Sequence, residues 1–370
     1  MKIKLLSLVL ITTFALTGCN KSSNDPKPGN TGTTGTTGTT GTTGTIGSTG
    51  VDVYTITSNP VTLWKNDTEV PFQVVGYEYK SVITSGKDVY VTGCTVSGSN
   101  RIAGYWKNGT LVNLADNNND SEAISIAVQG NDVYVVGVFN NKPAYWKNGK
   151  LSILPYNGTE AYTSGIAING NDVYICGYFD TSNDSKNSRI GPCYWKNGVF
   201  TSMDGDFYLS VPYAIAINGN DVYIVGFANG TYNPLAGSKF DSAVCWKNGI
   251  AQKLATTKNE SAAEGIAISN GDIYICGSIS TDNGQGTFSA VYWKNGTINI
   301  VQDQAAAYGI AVHDSDVYIC GAYFVPAGPN SVPAGPYFNY YPSRWKNGVI
   351  TKVDNQTIIG TINGIALAAK

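Results

Sequence analysis

The chain has 370 residues, among them 43 Gly, 24 Tyr and 7 Trp, with charged residues at 14% and a net charge of −2. The charge content lies well below the roughly 25% of ordinary globular domains. A net charge this close to zero leaves no basic surface and argues against nucleic acid as a partner. With hydrophobic residues at 42%, the chain can still build a core, and the abundance of Gly and aromatics predicts an all-β protein of short strands and tight turns.

Lys2 and Lys4 precede an apolar run from Leu5 to Leu16, followed by Thr17-Gly18-Cys19. A basic start, a short apolar stretch and small residues at the cut site make residues 1–18 a secretory signal, too short to span a membrane. Leu16-Thr17-Gly18-Cys19 resembles a bacterial lipobox, which implies cleavage before Cys19 and lipidation of that residue. Several acyl chains on one Cys hold a protein stably, where a single chain is marginal. Asn20 rather than Asp follows, so the retention rule for the inner membrane does not apply, and the expectation is an outer-membrane lipoprotein. Residues 19–50 centre on TGTTGTTGTTGTTGT, which has no apolar side chains to pack. They form a flexible linker of roughly 30 Å r.m.s. reach.

The rest of the sequence, residues 51–370, repeats one phrase set. Trp64, Trp106, Trp146, Trp195, Trp246, Trp293 and Trp345 all sit in WKN followed by Gly or, once, Asp. Asp-Val/Ile-Tyr recurs at Asp52, Asp88, Asp132, Asp172, Asp221, Asp272 and Asp316. A GIAI-like phrase begins seven residues before each Asp from the second onward, at Ser81, Ser125, Gly165, Ala214, Gly265 and Gly309. Each unit therefore reads as four strands: a (GIAI), b (DVYICG), c (ending in YWK) and d, after the c–d turn. Asn-Gly at that turn is the strongest short hairpin signal, because a type I′ turn needs φ > 0 twice. Only Asn66-Asp67 departs from it.

Seven four-stranded antiparallel units predict a seven-bladed β-propeller. A last GIAI phrase at Gly364 has no DVY behind it, while Asp52 begins a DVY with no GIAI before it. The C-terminal strand should therefore pair with the N-terminal three strands and close the ring, removing the open edges. These phrases resemble the YWKNG-repeat propellers of bacterial surface and secreted lipoproteins, particularly of the Bacteroidetes. The resemblance implies a non-enzymatic surface module.

Residues repeated in every blade are read as structural. The Trp residues should pack between blades, and the Asp of DVY should accept hydrogen bonds from turn N–H groups. One Asp per turn is too few ligands for a metal site, and no cofactor motif is present. Cys176, Cys276 and Cys320 alternate with Val136 and Val225 in one slot and read as small buried hydrophobes. Cys176 and Cys193 flank one b–c hairpin and are a candidate disulfide in an oxidising compartment.

The a–b and c–d turns share one face and are short and uniform, whereas the b–c and d–a loops on the other face vary. Binding sites favour variable loops on a rigid frame. The residues just before strand a should rim the central channel on that face: Asn363, Lys80, Ile124, Ser164, Tyr213, Glu264 and Tyr308. The last b–c loop adds Tyr323, Phe324, Tyr337, Phe338, Tyr340 and Tyr341 around two VPAGP phrases. Mixed polar and aromatic groups suit a glycan or a surface protein bound by a lipid-anchored monomer. The alternative is a carbohydrate-active hydrolase or lyase drawing on Asp116, Asp120, Glu122, Glu160, Asp204, Asp206, Glu260, Glu264, Asp303 and Asp354, although no pair of them is marked by sequence.

Overall fold

The computed structural model describes residues 50–58, 61–71, 76–180, 189–203, 209–229, 241–254, 260–281, 287–326, 338–352 and 360–370; for 76–78, 326, 338 and 352 this covers the backbone only. The signal segment, Cys19, the linker up to residue 49, Asp204, Asp206, Tyr337 and Asp354 lie outside the described residues.

Among the described residues, 28 strands run from Val51 to Ala369. They form antiparallel sets of four, each ordered a-b-c-d. Blade 1 joins the two ends of the chain: Ile362–Ala369 is strand a, followed by Val51–Ser58, Val61–Lys65 and Thr68–Val70. The register Val53↔Leu367 and Tyr54↔Ala366 seals that joint. Strands a of blades 2 to 7 are Gly76–Ser85, Ser121–Gln129, Ala161–Asn169, Leu209–Asn218, Ser261–Ser269 and Ala305–His313. Each lies against the strand a of the next blade, and Ile362–Ala369 touches both Gly76–Ser85 and Ala305–His313. The result is a closed seven-bladed β-propeller with the inner strands around its axis. Blades 4 and 5 also share one parallel pairing, Ile190↔Leu209.

The WKNG phrase does more than make a turn. Asn108 and Gly109 have φ of 49° and 83°, as a type I′ hairpin requires. The Asn108 side chain then reaches across the blade: its Oδ1 accepts from Val89 N at 2.9 Å, and its Nδ2 donates to Asp88 Oδ1 at 2.7 Å. Lys107 Nζ meets Asp88 Oδ2 at 2.7 Å and sits 5.4 Å from the centre of the Tyr90 ring. The same four residue types make this clasp in every blade, with Lys–Asp distances of 2.7 to 3.0 Å. The carboxylate of DVY is therefore gripped by side chains of the c–d turn, which corrects the expectation of turn N–H donors. Lys107 and then Asn108 hold Asp88 below the usual carboxylate range, and the other six Asp residues shift the same way.

Trp106, Trp146, Trp195, Trp246, Trp293 and Trp345 are fully buried. Trp195 packs in a cluster that mixes Tyr134, Val136 and Leu154 of blade 3 with Ile166 and Ile175 of its own blade 4. Its Nε1 donates to Pro155 O at 2.6 Å. The Trp residues thus fill the wedges between blades, where a large aromatic removes most area from water. Trp64 alone is half-buried. Cys176 and Cys193 do not pair. Cys176 stands opposite Tyr194 and Cys193 opposite Gly177, so the one-residue offset turns their side chains to opposite faces of the blade. One packs toward blade 5 and the other toward blade 3. The cysteines among the described residues are buried thiols and not disulfides.

Two departures from the repeat meet each other. Arg344 replaces the Tyr of YWK, and Asp67 replaces the Gly of WKNG at φ 67°. Arg344 is completely buried at the seam between blades 7 and 1, and its Nη2 donates to Asp67 Oδ1 at 2.6 Å. Burial pushes the Arg344 pKa down, and Asp67 opposes that. Asp67→Asn removes the countercharge while keeping a residue that tolerates φ > 0, and should cost roughly 3 kcal/mol by stranding a buried cation. In an Arg344→Tyr background the same change should cost under about 1 kcal/mol. Chemical denaturation of the four proteins in this double-mutant cycle measures the coupling, and a value near zero would remove the seam ion pair from the account.

Candidate functional site at the axial mouth

The uniform face carries the seven clasps, and the chemistry that varies lies in the inner strands. Every strand a contains a β-bulge, an extra residue that leaves the ladder and is re-aimed. The bulged residues are Asn363, Lys80, Ile124, Ser164, Tyr213, Glu264 and Tyr308. These are the residues expected to rim the channel, except that they sit within strand a and not just before it. All seven are half-buried. A sequence signal for the bulge exists: the Gly of DVYICG stands beside it. A Cβ on Gly277 or Gly321 would overlap the carbonyl oxygen of Ala262 or Ala306, so the close approach of the bulged strand requires Gly in those blades.

The seven side chains divide into two arcs. In blades 2 and 3, Lys80 Nζ pairs with Glu122 Oε1 at 3.0 Å, and Glu122 is buried. Arg101 also binds Glu122, and it bonds Asp120 through Nη2 at 3.1 Å and through its backbone N at 3.0 Å. Lys80, Asp120 and Glu122 are thereby committed to one another. Asn363 Oδ1 accepts from Thr361 Oγ1 at 2.6 Å. Other carboxylates proposed for chemistry are engaged locally: Asp303 by Ser289 Oγ at 2.6 Å, Glu160 by Tyr162 OH at 3.1 Å, and Asp116 by Asn118 N and Asn119 Nδ2.

The arc of blades 5, 6 and 7 is different. Among the described residues the Glu264 carboxyl has no hydrogen-bond or ion-pair partner, and burial pushes it up to about 7. Its charge raises the pKa values of both Tyr213 and Tyr308, behind burial as the larger cause. Tyr213, Glu264 and Tyr308 occupy the same bulge position in three successive blades whose inner strands lie against one another. Tyr213 leans on Phe227, ring centres 5.8 Å apart. Tyr308 packs beside Phe324, Ala306 and Tyr340, and Phe324 meets Tyr340 edge-on at 4.9 Å. Next to this arc, burial and then Glu260 raise Asp241 to about 6. Asp241 was not among the sequence candidates; it opens strand c opposite Asn229, a position that only the register reveals.

The aromatic loop of blade 7 is also corrected. Its hairpin strands extend to Asp316–Pro326 and Phe338–Lys346. Tyr323 faces Tyr341 and Phe324 faces Tyr340 across the ladder, while Phe338 ends it opposite Pro326. β-Branched and aromatic cross-strand pairs continue the strands past the repeat, so Phe324 is buried support for Tyr308 and not a free contact.

No protein-family profile and no curated protein sequence matches the chain. Among solved structures it is similar to the β-propeller domain of the Trilobed protease from Pyrococcus furiosus, at 12% identity and TM-score 0.49 over 83% of this chain and 95% of that one. It is also similar to the tricorn protease (9%, TM-score 0.47, 81% of this chain and 32% of that one) and to the phage phi92 endosialidase (12%, TM-score 0.41, 81% and 63%). The chain thus spans about a third of the tricorn protease. The strand pairings above, and not these likenesses, establish the fold.

Glu264 gives this arc a pH signature. A folded pKa of about 7 lies above the ordinary 4.5, so the unfolded chain releases the proton first. The associated stability is complete below about pH 4.5 and is lost as pH rises through about 7. Glu264→Gln should therefore be more stable than the parent above about pH 8, by up to roughly 3 kcal/mol, with the gap closing near pH 4. Parallel melting-temperature profiles for the two proteins would show that the carboxyl is not desolvated.

Proposed function

We propose that the chain is a non-catalytic binding module of the bacterial cell envelope, anchored by lipid at Cys19 through the linker 19–50, that takes a glycan at the axial mouth of blades 5 to 7. One observation carries this reading. Seven residues share one bulge position in the inner strands and differ in chemistry, whereas the seven clasps at the a–b and c–d turns are alike. Selection for stability alone has no use for that difference. Tyr213 and Tyr308 offer flat apolar faces for sugar C–H groups, and the Glu264 carboxyl between them offers hydrogen bonds to hydroxyls.

Val51 opens strand b at the a–b turn, and Lys370 N bonds Gly50 O at 2.9 Å. The described chain therefore begins at the a–b turn of blade 1, on the uniform face. A surface protein in place of a glycan is an outcome of the same binding test.

A hydrolase or lyase is the second reading, supported by the raised carboxyls of Glu264 and Asp241, since a general acid must hold its proton near neutral pH. Incubation with the bound glycan distinguishes the two: the binding reading expects no release of new reducing ends or unsaturated products. A glycan array followed by calorimetry tests the site itself. Tyr308→Ala and Tyr213→Ala should each weaken the captured glycan by about tenfold or more. Unchanged affinity in both variants would move the site elsewhere.

A further inference from the structure

The ligand class at this mouth follows from what faces Glu264. The titratable groups presented to it by the strands packed around it are Tyr213 of strand a in blade 5, Cys276 of strand b in its own blade and Tyr308 of strand a in blade 7. All of these are neutral at pH 7, and a carboxyl, that of Asp241, also acts on Tyr213. The cations of the opposite arc are bound to Glu122 and Asp120. Glu264 thus holds the bulge position between those of two tyrosines, and among the described residues no cation pairs with it.

An acid flanked by aromatic rings is the arrangement that recognises an organic ammonium. The carboxylate makes a charge-assisted hydrogen bond, and the ring faces attract the cation through their quadrupoles. From the placement of Tyr213, Glu264 and Tyr308 at the same bulge of three successive blades, we infer that the mouth selects a sugar bearing a free amino group over its acylated or neutral counterpart. This rests on the glycan-binding reading above and specifies its ligand. The tyrosine rings take the sugar face, and Glu264 takes the ammonium that projects from it.

Binding then carries a proton signature. Before binding, the Glu264 carboxyl titrates at about 7, so at pH 6 it is mostly protonated. An ammonium beside it favours the carboxylate, and the proton leaves to solvent as the ion pair forms. Close to one proton per ligand should be released at pH 6, and fewer as pH rises above 7.

The test uses a glucosamine tetrasaccharide and its fully N-acetylated counterpart, titrated calorimetrically into the full-length protein in two buffers of different ionisation heat. The free-amine oligomer should bind about tenfold more tightly near pH 7, with proton release at pH 6. Glu264→Gln, a neutral isostere, should bring the ratio between the two oligomers to near one and abolish the release. Equal affinity of the parent protein for both oligomers would overturn the amine preference and leave glycan binding standing. If neither oligomer binds while a glycan without an amino group does, the amine preference falls and glycan binding stands. A lysine peptide that outcompetes the free-amine oligomer would overturn the assignment to a sugar.

Discussion

The grip of an Asn and a Lys on one Asp carboxylate holds each blade together, and the rest of the molecule depends on it. In blade 2 it joins the start of strand b to the end of strand c through Asn108, Lys107 and Asp88. Any one of these surface ion pairs is worth little in water. The clasp matters through geometry: it adds a side-chain bond to the backbone ladder and sets the register of both hairpins at one end. With that end fixed, strand a is free to bulge at the other. The fold therefore separates its duties by face, with order at one end of the axis and variation at the other.

Much of the architecture was legible because it repeats. The WKNG and DVY phrases gave the blade count, and the half-repeats at Asp52 and Gly364 foretold the pairing of Val51–Ser58 with Ile362–Ala369. Conformational chemistry made this possible, since Asn-Gly is nearly obligatory where two successive residues need positive φ. The role of the Lys-Asn dipeptide was hidden, because side-chain bonds across a blade have no period of their own. The disulfide between Cys176 and Cys193 failed for a related reason. Proximity along a hairpin says nothing of which face each sulfur takes, and a single step of register reversed it.

The candidate site was legible in its positions and less so in its state. The bulged residues follow from counting back from each DVY, and the Gly of DVYICG marks where the bulge must fall. Their partners did not follow. Lys80 looked as available as Glu264 in sequence, yet the first is bound to Glu122 while burial leaves the second holding its proton near neutral pH. The aromatic segment of blade 7 reads as loop because its Pro-Gly phrases interrupt the repeat, but its flanks extend the ladder through Tyr323↔Tyr341 and Phe324↔Tyr340. Where the repeat is broken, tertiary contact decides, and the same holds for Arg344 and Asp67 at the ring seam.

The division between a fixed face and a recognising face is tested most directly by hydrogen exchange with and without a bound oligosaccharide. Protection should rise at the bulges within Leu209–Asn218, Ser261–Ser269 and Ala305–His313, while the clasped turns at the Asp and Asn residues keep their rates. Protection concentrated at those turns, with the inner strands of blades 5 to 7 unchanged, would contradict the account.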